Sequence, residues 1–180
     1  MLNRSSNLNT IIILWMENLF IRIGLSFLFC IAFLHSAMAS EAGYSSHSFT
    51  ITKITDGDSL RAGDVRIRLH GVDAPEIRQS CHNPAPYKCG EFARDYLIQA
   101  LGERATLTCQ HIDTDRYKRL IMRCYYRGID INAALVRAGW AVAYKRYSND
   151  YVADEAEARA AKRGLWAGTF QQPEQWRRNN

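Results

Sequence analysis

The chain has 180 residues, 47% of them apolar and 23% charged, with 23 Lys and Arg against 18 Asp and Glu and a net charge of +5. That length holds one domain, and no internal repeat or low-complexity tract runs through it, which excludes a repeat array. The basic excess suits a polyanionic partner without requiring one, because solvated charged faces give the same count.

Residues 1–39 stand apart. Their only charges are Arg4, Glu17 and Arg22, and they hold two apolar runs, 11–15 and 23–34, the second ending in Ser36-Ala37-Met38-Ala39-Ser40. A basic residue, a short apolar run and an Ala-x-Ala site predict a secretory signal peptide. Met16 is an alternative start, since residues 16–39 already read as a complete signal. The competing reading, an uncleaved membrane anchor, needs a span of about 20 apolar residues. Cleavage after Ala39 removes two basic and one acidic residue and leaves a net charge of +4. It also removes Cys30 and leaves Cys81, Cys89, Cys109 and Cys124. An even number in an exported chain predicts two disulfides. The rival is a zinc site from Cys81, His82 and Cys89, which lacks any Cys-x-x-Cys spacing.

Residues 40–47 are polar and read as a flexible start. Residues 49–53 alternate as a strand, Thr55-Asp56-Gly57-Asp58 turns, and 59–61 and 65–69 form a hairpin across Ala62-Gly63-Asp64, with Val65, Ile67 and Leu69 on one face and Arg66, Arg68 and His70 on the other. Residues 77–88 form a loop whose ends carry Cys81 and Cys89, so a bridge there closes a short loop. Residues 90–101 have helical spacing and stop at Gly102. Residues 105–112 and 119–126 are strands around the polar turn 113–118, with Cys109 and Cys124 placed symmetrically about it, where a hairpin sets them opposite each other. A short helix over 132–138, capped by Asp130 or Asn132 and closed by Gly139, is followed by an extended piece at 140–144. A second helix runs over 152–163, and 169–180 is a polar C-terminal tail with Arg177 and Arg178. Hairpins of short strands with interposed helices predict an α+β fold, mainly β: a small closed barrel of the OB type.

Asp56, Asp58, Asp73 and Glu76 gather four carboxylates at the ends of neighbouring strands. Clustered carboxylates repel unless a cation sits among them, and a hard cation with oxygen ligands suits such a set. Arg68 lies close by in sequence, and an arginine grips a phosphate through two parallel hydrogen bonds. A metal, two arginines and a carboxylate suffice for phosphodiester hydrolysis. Each piece has a plainer reading: Asp-Gly-Asp is a common turn, a strand arginine is usually solvated, and Asp-Arg-Tyr in a turn proves nothing. The combined order is what carries weight.

Asp56-Gly57-Asp58-Ser59, then Arg68-Leu69-x-Gly71-Val72-Asp73-Ala74-Pro75-Glu76, then Asp115-Arg116-Tyr117-Lys118-Arg119, then Asn132-x-x-Leu135-Val136-x-x-Gly139 resembles the staphylococcal nuclease family over residues 48–168. The resemblance implies a five-stranded OB-fold Greek-key barrel with three helices, a Ca²⁺ cofactor, and hydrolysis of DNA or RNA leaving 3′-phosphate ends. It implies Asp58 and Asp73 as calcium carboxylates, Ala74 as a backbone carbonyl ligand and Asp56 in the outer shell through water. Arg68 and Arg119 are implied to bind the phosphate, Glu76 to orient the water or act as base, and Tyr117 and Tyr144 to line the nucleotide pocket, with Tyr147 a weaker candidate. Lys118 departs from the family, which often has glycine there, and this bears on where Arg119 points. The alternative is a non-catalytic OB module that binds single strands or protein; the intact set of acids and arginines argues against it. A third reading has the cysteine loop 77–89 recruit a protein partner. Otherwise a periplasmic or secreted monomer is expected, with nucleic acid as its substrate and no stable protein partner.

Overall fold

Residues 45–180, except Glu103, are described by a computed structural model. The predicted signal peptide 1–39, the alternative start Met16, Cys30 and the first part of the flexible start lie outside the described residues. Among the described residues no helix is long and apolar enough to cross a membrane.

The sheet follows the period-two pattern of its strands. Strands β1 (Ser46–Thr50), β2 (Lys53–Ile54), β3 (Ser59–Ala62) and β4 (Val65–Leu69) lead to the two-residue β5 (Val72–Asp73). A small hairpin, β6 (Cys81–His82) and β7 (Pro86–Tyr87), follows inside the cysteine loop. Then come β8 (Thr106–Thr114), β9 (Leu120–Tyr126), β10 (Ile129–Asp130) and β11 (Val142–Ala143). The main sheet has the order β1-β8-β9-β4-β3-β2, with β10 added to β9. Its two ends are halves of one segment. Ser46–Thr50 pairs antiparallel with β8, the Ile51 N–H continues to the Ala105 carbonyl at 2.8 Å, and from Thr52, whose N–H meets the Arg61 carbonyl at 2.8 Å, the chain pairs with β3. Counted this way the sheet is five strands curled back on themselves, antiparallel except for β4 beside β9. That is the expected OB-type arrangement.

The inward positions fill the core: Leu60, Ile67, Leu69, Leu107, Cys109, Met122 and Cys124 are all 1% exposed or less. Helix α1 (Cys89–Leu101) adds Ala93, Leu97 and Leu101 from one face, at the spacing of a helical stripe. Helix α2 (Ile131–Arg137) starts at Asp130, whose carboxylate accepts from the Ala133 N–H at 3.0 Å. This is an N-cap that satisfies an otherwise orphaned donor. Asn132 is fully buried and ties two strands together. Its Nδ2 donates to the His70 and Met122 carbonyls at 2.9 and 3.2 Å, and its Oδ1 accepts from the Cys124 N–H at 3.2 Å.

Helix α3 (Val152–Ala160) ends before residue 163 because Lys162 takes a positive φ of 51°, a backbone state that stops a helix. The C-terminal segment differs more from expectation: beyond the polar stretch it forms helix α4 (Pro173–Asn179), with Pro173 in its first turn, where its missing N–H costs nothing.

Both disulfides form with the expected pairing, Cys81–Cys89 and Cys109–Cys124. The first leaves no thiolate for zinc, so the metal reading of Cys81, His82 and Cys89 falls. The second joins facing residues of β8 and β9. Closing a loop of 15 residues stabilises by about 3 kcal/mol through the unfolded state. The double variant Cys109→Ser, Cys124→Ser should lose about that amount in urea unfolding, and labelling of the native protein should find none of these four thiols free.

Candidate active site: a buried carboxylate pair and its arginines

Asp58 sits in the turn between β2 and β3, and close packing brings that turn inward. A Cβ on Gly57 would lie 2.6 Å from the Ala74 Cβ and 2.8 Å from the Ala93 Cβ, so only glycine lets the turn rest on α1 and the β5 exit. The approach sets Asp58 Oδ2 to accept from the Ala74 N–H at 2.8 Å. Asp73 is carried by β5, whose pairing with β11 sets it opposite Val142. Both carboxylates are 1% exposed.

Arg68, on the outward face of β4, joins them. Its Nη1 lies 2.6 Å from Asp58 Oδ1 and its Nη2 2.9 Å from Asp73 Oδ1, so the two acids stand one guanidinium apart. Asp56 belongs to the same cluster, its Oδ1 accepting from the Asp58 N–H at 3.1 Å. Burial, then the neighbouring Asp58 charge, push the Asp56 carboxyl up to about 7. Burial also raises the Asp73 carboxyl, against the pull of Arg177 and Arg68. Glu76 follows at the start of the cysteine loop. Its carbonyl nearly touches α1, where a Cβ on Gly90 would come within 1.8 Å of it. Its N–H donates to Oε1 of the buried Gln79 at 3.3 Å.

A sixth group of this cluster carries almost no local signal in the sequence. Arg177, on α4, donates Nη1 to Asp73 Oδ1 at 2.9 Å, Nη2 to Asp73 Oδ2 at 3.0 Å and Nη1 to Glu76 Oε1 at 2.9 Å. The only signal was a pair of arginines in a polar tail.

Arg119 is positioned differently. Its Nε donates to Asp115 Oδ2 at 2.7 Å, and among the described residues no hydrogen bond or ion pair joins it to Asp58, Asp73 or Glu76. The turn closes around Asp115, whose Oδ1 accepts from the N–H groups of Tyr117 and Arg119, both at 2.9 Å. Lys118 takes a φ of 60° in this turn, a left-handed state that costs a side-chain-bearing residue roughly 1 kcal/mol or more and that glycine adopts freely. The departure from glycine is thus absorbed as local strain with the turn intact. Register puts the turn against β4: Leu120 faces Ile67, and Arg66 donates to the Tyr117 carbonyl.

Tyr117 is 54% exposed, with Arg116 and Arg119 over its ring at 4.8 and 5.6 Å. Tyr144 packs edge-on against Tyr147 at 4.8 Å. With Asp73, Arg146, Gln172 and Glu174 it lines a cavity of about 260 Å³.

Among the described residues no three His, Cys, Asp or Glu side chains converge as a metal cage. The donor chemistry nevertheless fits a hard cation: two buried carboxylates with two further acids beside them, all oxygen, already balanced by positive guanidinium groups. Backbone oxygens and water complete such sites.

The family model described as staphylococcal nuclease homologue matches residues 66–168. An uncharacterized endonuclease of Escherichia coli O157:H7 is 35% identical over 65% of this chain and 75% of its own. One of Haemophilus influenzae is 31% identical over 77% of this chain and 78% of its own. A probable staphylococcal-like nuclease of Oryza sativa subsp. japonica is 33% identical over 77% of this chain, which spans 34% of that longer protein.

Asp115 offers a test of the turn. Burial raises its pKa, and the hydrogen bonds and charge of Arg119, with the Tyr117 N–H, together outweigh this and leave it below the ordinary 3.8. A lowered folded pKa means stability that is present above the unfolded value and is lost as pH falls through the folded one. The stability advantage of wild type over Asp115→Asn should therefore be constant near neutrality and shrink as pH falls through and below the ordinary carboxylate range, as read by urea unfolding at successive acid pH values.

Proposed function

The chain belongs to the staphylococcal nuclease family, and from that premise we propose that it is a calcium-dependent nuclease that hydrolyses DNA or RNA and leaves 3′-phosphate ends. The observation that carries the reading is the buried pair Asp58 and Asp73 with Arg68 between them and Glu76 alongside. Two like charges buried side by side are costly, and such arrangements cluster at functional sites.

In this reading Asp58, Asp73 and the Ala74 carbonyl would hold Ca²⁺, and Asp56 would act through water. Bound there, Ca²⁺ would supply Lewis acidity toward a phosphoryl oxygen. Arg68, freed of part of its carboxylate contacts, turns its fork to the scissile phosphate. Arg119 reaches the same phosphate from the neighbouring turn when it leaves Asp115, which holds it meanwhile in one orientation. The two guanidinium groups stabilise the charge that grows on the five-coordinate phosphorus. Glu76 accepts a hydrogen bond from the attacking water and orients it or takes its proton. Tyr117 and Tyr144 offer ring faces to the flanking nucleotides. The disulfides suit an oxidising compartment, and the signal-like residues 1–39 support export to the periplasm or beyond.

The purified, oxidised protein should cut single- and double-stranded nucleic acid with Ca²⁺ and stop when the ion is chelated. Glu76→Gln should lower turnover by about 10² or more while nucleic-acid binding persists; unchanged turnover removes Glu76 from the chemistry. Arg119→Ala should cost about 10²–10³ in kcat, and a mild effect would mean that the turn never delivers Arg119 to the phosphate. A folded wild type that binds nucleic acid and cuts none of it would favour the binding-module alternative.

A further inference from the structure

Arg177 has no part in the chemistry just described, yet it makes three hydrogen bonds to the carboxylates of the site. It meets Asp73 fork to fork, at 2.9 and 3.0 Å, and reaches Glu76 at 2.9 Å with the same Nη1. Arg68 shares Asp73 Oδ1 at 2.9 Å. Both oxygens of Asp73 are thus engaged. Those of Asp58 are engaged too, by Arg68, the Ser59 hydroxyl and the Ala74 N–H. A divalent cation at Asp73 meets Arg177 on both of its carboxylate oxygens, and a water at Glu76 meets it on Oε1.

The helix that carries Arg177 is built to let go. It has seven residues, of which only Pro173 is buried, and isolated helices shorter than about 12 residues are marginal in water. Among the described residues its other ion pair to the barrel is Arg146–Glu174 at 3.3 Å, with Arg146 65% exposed, and such surface pairs are worth about 1 kcal/mol at most. The segment just before it is anchored. His82 and Thr169 exchange two backbone hydrogen bonds of 3.0 and 2.9 Å, and Gln79 Nε2 donates to the Gln171 carbonyl at 2.6 Å. The chain therefore has a fixed post at residues 169–171 and a detachable arm beyond it. The arm also forms one wall of the cavity beside Tyr144, through Gln172, Glu174, Gln175 and Arg178.

We propose that α4 is an autoinhibitory strap: Arg177 is a tethered cation that competes with the metal for Asp73 and with the attacking water for Glu76, so that calcium binding and strap release are one exchange, which also opens the cavity beside Tyr144. This rests on the reading of Asp58 and Asp73 as the calcium pair. Tethering gives Arg177 a high effective concentration at the site. By linkage, whatever holds the strap down weakens calcium, and calcium weakens the strap by the same factor.

The test is calcium titration by calorimetry of the purified, disulfide-bonded wild type, Arg177→Gln, Arg177→Lys and Arg178→Gln. The last makes the same charge change one residue away. In parallel, the Trp176 indole N–H resonance is followed by NMR, assigned through Trp176→Phe. Arg177→Gln should tighten calcium by about tenfold or more, Arg178→Gln by less than about threefold, and Arg177→Lys, which keeps the charge and loses the fork, should fall between them. The Trp176 signal should shift as calcium saturates the wild type, and calcium-free Arg177→Gln should already show the shifted position. Equal calcium affinity in wild type, Arg177→Gln and Arg178→Gln, or a Trp176 signal indifferent to calcium, overturns the strap and leaves the metal site standing. No calcium binding by any folded variant overturns both.

Discussion

Two carboxylates that are almost wholly shielded from water cannot both stay charged without positive charge beside them. Burying a charge costs several kcal/mol even after relaxation, and Asp58 and Asp73 incur that cost together, each 1% exposed. The centre follows from this constraint. Arg68 sits between the acids because β4 brings its outward face there. Arg177 comes from the far end of the chain to the same oxygens, and Asp56 is pushed towards neutrality. Removing one partner would leave an uncompensated charge, the costly case. The cluster is held by balance, and it changes occupants only by exchange of one cation for another.

The barrel supplies the rigidity that such balance needs. The parallel contact of β4 with β9 brings the Asp115 turn alongside the arginine-bearing strand, and the buried Asn132 amide secures the same region through three hydrogen bonds. The Cys109–Cys124 bridge fixes β8 to β9 beneath the turn. Asp58, Asp73, Arg68 and Arg119 are thus presented by strand ends or by turns with their own internal hydrogen bonds. Groups held this way keep their geometry without relying on the substrate.

Much of this was legible in the residues. Strict alternation in β4, the turn dipeptides and the spacing of Cys109 and Cys124 about a polar turn are local signals, and local signals report local structure. The acids and Arg68 were found because they cluster within about twenty positions of chain. Arg177 was not, because it lies about a hundred residues from Asp73 and its helix has almost no apolar face to betray it. Periodicity detects what is packed, and α4 is docked by charge. The orientation of Arg119 was equally hidden, since a turn sequence does not say which acceptor its arginine will choose.

The segment Ser46–Ile54 serves as both margins of the sheet, and this has a consequence for how the chain is made. Its partners are β3, a few residues away, and β8, where Ser46 faces Gln110. Synthesis delivers this segment first, but its outer seam cannot close until β8 has emerged, and the parallel β4–β9 contact waits longer still. Pairings of such high contact order are slow to form. A nascent chain therefore stays open along that seam until most of its length exists, and its two margins meet only when the distant strands are there to receive them.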